Sequence, residues 1–197
     1  MSSPLKKIIK YAIIILFGMS VISNNLEAKS KSLADKTYDI GLSGGMWLSG
    51  DVNLGDFGID LTKESSFMFR AFADSYLIPK LAVGIYFNYS PVTVSYGDVS
   101  ENATMTEFGG AFKPRFFLKN NIAIKPGLNI GYRSISTSAS AWDSKGLGIN
   151  LSVEIQFMMD NFIFYLEPGF LSQPAGGNDL TDITFAPIAY ILVGIAF

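Results

Sequence analysis

The chain has 197 residues, 49% of them apolar, with 15 basic and 17 acidic side chains, no cysteine and no histidine. The missing cysteines exclude a disulfide framework and thiolate-held metals; the missing histidines remove the commonest general base and the commonest metal ligand. Nothing points to nucleic acid, because no Lys/Arg cluster follows Lys10.

Residues 1–28 read as a cleavable secretory signal peptide. Lys6, Lys7 and Lys10 make its positive start, Tyr11 to Ile22 its apolar middle, and Leu26-Glu27-Ala28 its cleavage site. As a helix the apolar middle would be about 18 Å long, short of a ~30 Å hydrocarbon core. Ser32-Leu33-Ala34 offers a second cut. Removing Lys6, Lys7, Lys10 and Glu27 leaves 12 basic and 16 acidic residues, a net charge of −4. Residues 29–36 then form a short periplasmic segment, and residues 37–197 are enough for one domain.

Eight segments of period two follow. The first sets Tyr38, Ile40, Leu42, Met46 and Leu48 against Asp39, Gly41, Ser43 and Gly45. The second sets Phe67, Phe69, Ala71 and Ala73 against Arg70 and Asp74, and the third Leu81, Val83, Ile85, Phe87 and Tyr89 against Ala82, Gly84, Tyr86 and Asn88. In the fourth, Phe108, Phe112 and Phe116 oppose Glu107, Lys113 and Arg115. The fifth runs from Ile122 to Arg133 with Lys125 and Arg133 on its less apolar face, and the sixth from Leu147 to Phe157 with Glu154 there. The seventh sets Phe162, Phe164, Leu166 and Phe170 against Glu167. The eighth places Ile183, Phe185, Ala189, Ile191, Val193, Ile195 and Phe197 on one face.

Connections alternate in length. Residues 77–80, 118–121 and 159–161 are tight turns; residues 49–65, 91–104, 134–145 and 172–182 are long and rich in Gly, Ser, Asp and Asn. That rhythm predicts an all-β protein, a transmembrane antiparallel up-and-down β-barrel of eight strands, with short periplasmic turns and long extracellular loops. A soluble sandwich or lipocalin-like barrel also alternates, but keeps its apolar face inside. Aromatic girdles are expected at Tyr38, Phe116, Phe157, Phe162 and Phe197 on the inner side, and at Phe67, Tyr89, Tyr132, Phe170 and Phe185 on the outer side. Pro114, Pro126, Pro168 and Pro187 lack a ladder donor and mark bulges or kinks.

Signal peptide, eight segments and the ending Ile191-Leu192-Val193-Gly194-Ile195-Ala196-Phe197 together resemble small outer-membrane β-barrel proteins of the OmpX and OmpA-transmembrane-domain type. Ile191, Val193, Ile195 and Phe197 would then be the assembly signal read by the barrel-assembly machinery. The resemblance implies a monomer in outer-membrane lipid and lipopolysaccharide-type glycolipid. Its members are adhesins, complement-evasion factors, structural proteins or subunits of complexes, so a host or envelope protein partner is left open.

The charges on the less apolar face are the candidate functional residues. Arg70, Lys113, Lys125, Glu154 and Glu167 lie at similar height above the short turns and are expected to form one connected lumen network; Glu107 and Arg133 sit higher as a separate pair. Eight strands leave room only for side chains, so such charges must pair. A gate in a narrow small-solute channel is the alternative. Paired glutamates could serve as acid and base, but a plugged lumen gives no substrate access, so no enzyme, cofactor or metal is expected. Asp51 to Asp56 departs from a calcium loop at its glycine and twelfth positions, Asp56 and Thr62. The outer loops hold nine carboxylates against Lys63 and Lys145, an acidic exterior suited to cation-bridged glycolipid or a basic partner.

Overall fold

Residues whose neighbours alternate between apolar and small or polar can bury one face of a sheet and give the other to a second environment. The computed structural model, which describes residues 35–137 and 143–197, shows how this chain does so. The signal peptide at 1–28 and residues 29–34 lie outside the described residues.

Eleven strands follow in chain order: β1 (Tyr38–Trp47), β2 (Gly50–Leu54), β3 (Ile59–Lys63), β4 (Ser66–Ile78), β5 (Leu81–Tyr96), β6 (Val99–Pro114), β7 (Phe116–Lys119), β8 (Ile122–Thr137), β9 (Ser144–Met158), β10 (Ile163–Gly177) and β11 (Ile183–Ala196). Eight staves, with β6 and β7 sharing one, pair antiparallel around a closed barrel. Closure is made by β1 on β11, from Gly41↔Ala196 to Trp47↔Tyr190. Phe197 completes the seam, exchanging both backbone hydrogen bonds with Ile40 at 2.9 and 3.1 Å.

The first correction concerns the long connections, which are largely strand rather than coil. The strands β5, β6 and β8 have 16 residues each, whereas about 9–11 tilted residues cross a bilayer. The surplus stands outside the membrane as a continuation of the wall. There β1 and β4 have already ended, and the β2–β3 hairpin fills the space, with β2 on β11 and β3 on β5.

Along β5 side-chain parity is constant while the chemistry inverts. On β5 the outward residues run Leu81, Val83, Ile85, Phe87, Tyr89 and then Pro91, Thr93, Ser95; the inward ones run Ala82, Gly84, Tyr86, Asn88, Ser90 and then Val92, Val94. Tyr89 and its counterpart Tyr132 on β8 mark the change. Below them the exterior is an exposed apolar belt: Ile85 is 55% and Tyr132 59% exposed. Water would not tolerate that belt, and a bilayer does. Above them the barrel is built like a soluble one, apolar inside and polar outside.

A second correction falls on β11. Ile183 and Phe185 point inward, not to lipid, and Phe185 is only 4% exposed. The register with β10 passes from Leu171↔Ile188 to Gln173↔Phe185, which gives β11 one extra residue beside Pro187. That bulge flips every residue beyond it to the other face, so Phe185 leaves the girdle.

The belt makes an expected result plain. Ile85→Arg, mid-belt between Ala73 and Gly110 on the neighbouring strands, should cost about 2–4 kcal/mol. Ser100→Arg at the exposed outer tip of β6 should be near neutral. Urea unfolding in lipid vesicles compares the two; equal midpoints would reverse the faces.

Candidate functional site

The lumen has two chemically distinct halves. Among the described residues, its inner half holds five buried carboxylates (Asp39, Asp74, Glu107, Glu154, Glu167) and five buried cations (Arg70, Lys113, Arg115, Lys125, Arg133). Formal charge therefore cancels inside a space from which water is largely excluded, the condition under which buried ions are tolerable.

The charges sort into three groups by height. Innermost, Lys125 Nζ lies 3.2 Å from Asp39, 3.1 Å from Asp74 and 3.4 Å from Glu154. Lys113 Nζ joins the same group, 2.9 Å from Asp74 and 3.5 Å from Glu154. Gln156 donates to Glu154 at 2.7 Å and to Asp39 at 3.2 Å. Asp39 also accepts from the Tyr76 hydroxyl, and the Arg115 guanidinium stacks on the Tyr76 ring at 3.6 Å. Cation–π contact lets Arg115 offset the third carboxylate without touching it.

In the second group Arg70 pairs with Glu167, donates to Asn88 at 2.7 Å, and lies 5.3 Å from the centre of the Tyr190 ring. Tyr190 itself donates to Glu167 at 2.9 Å. In the third, Arg133 Nε donates to Glu107 at 2.8 Å, and Glu107 accepts further bonds from Asn150 at 2.7 Å and from Tyr86. Gly148 makes room for this group: a Cβ there would stand 2.8 Å from the Glu107 carboxyl carbon.

Every residue expected in the lumen is thus inside it, with a different partition. Lys113, Lys125 and Glu154 share one group, while Arg70 and Glu167 form their own, with no ion pair to the first among the described residues. Glu107 and Arg133 pair by themselves. Asp39, Asp74 and Arg115, outside the expected network, complete the innermost group. Parity alone marked them as inward, and Asp39 lies directly across from Asp74 in the β1–β4 register.

Above the charges the lumen is apolar. Trp47, Met68, Met105, Ile135, Leu171, Ile188 and Leu192 fill it, with Val92, Val94, Ile183 and Phe185 higher still. Trp47 donates its indole N–H to Ser90 at 2.9 Å. A cavity of about 30 Å³ lies among Trp47, Val92, Val94, Ile135, Phe185 and Ile188, with room for about one water.

Lys63 is the exception in this half. It is 1% exposed, stacks 3.6 Å over the Trp47 ring and donates to the carbonyls of Trp47 and Leu48 at 3.3 and 2.8 Å. Burial pushes its pKa from 10.5 down to about 7. Between those values an opened rim binds a proton that the closed rim does not, so stability rises with pH across the window. Denaturant titration followed by tryptophan fluorescence should show a more stable rim at pH 9.5 than at pH 7. Lys63→Met should flatten that slope.

Among the described residues, no group of three or more Asp or Glu is arranged to hold a metal ion.

No family model and no curated protein matches the sequence. Solved structures do match its fold. Neisserial surface protein A aligns with a TM-score of 0.59 at 11% identity, over 81% of this chain and 94% of that one. The outer membrane protein OprG from Pseudomonas aeruginosa aligns with a TM-score of 0.57 at 13% identity, over 85% and 99%. Closed eight-stave topology, apolar belt and these likenesses converge: the chain has the fold of the small eight-stranded outer-membrane β-barrels.

Proposed function

We propose that this is a non-enzymatic, non-conducting outer-membrane barrel that works through the surface of its outer extension. The observation that carries the reading is the filled lumen: ion pairs below, apolar side chains above, and about 30 Å³ between the latter. A barrel that passes nothing acts through what it shows to the outside.

What it shows is acidic. Among the described residues, Asp51, Asp56, Asp60, Glu64, Asp98 and Asp182 are exposed on the extension beside one exposed cation, Lys145, whereas Lys63 turns inward. Apolar side chains sit at the tips next to those acids: Phe57 beside Asp56, Tyr96 and Val99 flanking Asp98, and Leu180 beside Asp179. The β5–β6, β2–β3 and β10–β11 tips follow one another around the rim. Acidic and apolar groups so interleaved suit a basic, partly apolar protein surface, for which charge sets the approach and the apolar tips the affinity. Lipopolysaccharide-type glycolipid bridged by divalent cations fits the same acids. The barrel-assembly machinery, reading Ile191, Val193, Ile195 and Phe197, is the proposed partner during insertion.

Planar-bilayer recording tests the reading. No steady ion current is expected from the reconstituted protein, and binding of a cationic partner should weaken as salt rises. Regular single-channel steps would replace it with the narrow-channel reading.

A further inference from the structure

Pairing between β6 and β8 stops at Phe112↔Leu128, and β7 resumes it at Phe116↔Ile124. Register is the same on both sides, so no residue is inserted; three consecutive pairs are unmade. At their centre Pro114 stands directly opposite Pro126. Neither has an N–H to give.

The carbonyls are the consequence. Arg115 gives its N–H to Lys80 on the β5 side, and backbone direction alternates along a strand, so Pro114 turns its carbonyl toward β8. Asn121 accepts from Met158 on the β9 side, so by the same alternation Pro126 turns its carbonyl toward β6. Each carbonyl thus faces a position where the ladder donor is a proline. In hydrocarbon, where water cannot substitute, a backbone acceptor without a donor is costly.

A groove of about 280 Å³ lies over the unmade pairs. Phe112, Leu128 and Leu151 wall it from the lipid face, and Gly127 and Ser152 floor it from the lumen face. Gly127 leaves the floor open: a Cβ there would come 2.9 Å from Ser152 Oγ and 3.5 Å from the Lys113 chain. Pro126 is four residues above the inner turn, in a belt that ends at Tyr132, so the groove is covered by acyl chains and not by headgroups. Its volume is near the lower end of small-molecule pockets, roughly 300–1,000 Å³. It therefore takes one chain segment or small ring system, not a whole lipid.

We propose that this seam binds a hydroxyl-bearing hydrocarbon of the bilayer. The chain lies against Phe112, Leu128 and Leu151, and the hydroxyl donates to the carbonyl of Pro114 or Pro126. A neutral donor is selected because a charged one is expensive at that depth. Plain hydrocarbon fills the groove but leaves the carbonyls bare.

The test uses ¹⁵N-labelled full-length barrel in detergent micelles, titrated with 1-dodecanol and, in parallel, n-dodecane. Saturable amide shifts at Gly127, Leu128 and Leu151 are expected with the alcohol, and at least tenfold weaker ones with the alkane. Pro114→Val with Pro126→Val restores both donors and should abolish the alcohol response. If that double variant does not fold, Gly127→Val, which fills the floor, should abolish it instead. Equal responses to alcohol and alkane, shifts spread evenly around the belt, or shifts that survive the folded variant would each overturn the proposal.

Discussion

Lys125→Met should lower the stability of the folded barrel by about 3–5 kcal/mol, the range for stranding buried charge. The ammonium it removes touches three carboxylates, from Asp39, Asp74 and Glu154, of which Lys113 reaches only the last two. All are fully buried, so none can recover hydration. Adding Glu154→Gln should restore part of the loss, because one of the stranded charges goes with it. The urea midpoint in vesicles measures both variants and hence their coupling. A single variant indistinguishable from the parent would show that the innermost group is hydrated and not sealed. It would also reopen the channel reading, since water around Lys125 is the first step of a passage.

Deleting Phe197 should cut assembly in the outer membrane far more than the burial of one ring implies. The residue does two things at once. Its backbone exchanges two hydrogen bonds with Ile40, so it closes the inner end of the β1–β11 seam. Its side chain continues the outward row of Ile191, Val193 and Ile195, which is the proposed assembly signal. Phe197→Ala keeps the backbone bonds and loses only the ring, so comparing it with the deletion separates the roles. If the ring is the signal, both variants should accumulate poorly as heat-modifiable barrel. If closure dominates, only the deletion should. Normal heat-modifiable barrel from both would remove residue 197 from either role.

Lys63 and the charges below it show how burial divides the lumen. Lys63 stands without a carboxylate within ion-pair distance among the described residues and rests on an indole face and two carbonyls. The inner cations each lie against carboxylates or, for Arg115, against a ring whose hydroxyl engages one. An isolated ammonium in an apolar surrounding is held less well in its charged form, so burial lowers the pKa of Lys63.

Parity was enough to set much of this molecule. Alternation along Leu147 to Phe157 or Ile122 to Tyr132 places each side chain on one face, because a strand repeats every two residues. Short turns at 118–121 and 159–161 make neighbours antiparallel. Counting outward from the first of these turns sets Glu107 across from Arg133, and the β8–β9 register sets Lys125 across from Glu154. What parity could not supply was any relation across the lumen. Arg70 meets Glu167, and Lys125 meets Asp39 and Asp74, from staves that are not neighbours; strand tilt and shear fix those meetings, and no local pattern encodes them. Pro187 marked a bulge or kink, but period two could not say that it adds a residue and turns Phe185 inward, since both faces still look apolar. The outer extension was hidden for a related reason. Gly, Ser, Asp and Asn read as coil when a strand is judged alone, yet the β2–β3 hairpin is held by edges of β11 and β5 that exist only once the barrel has closed.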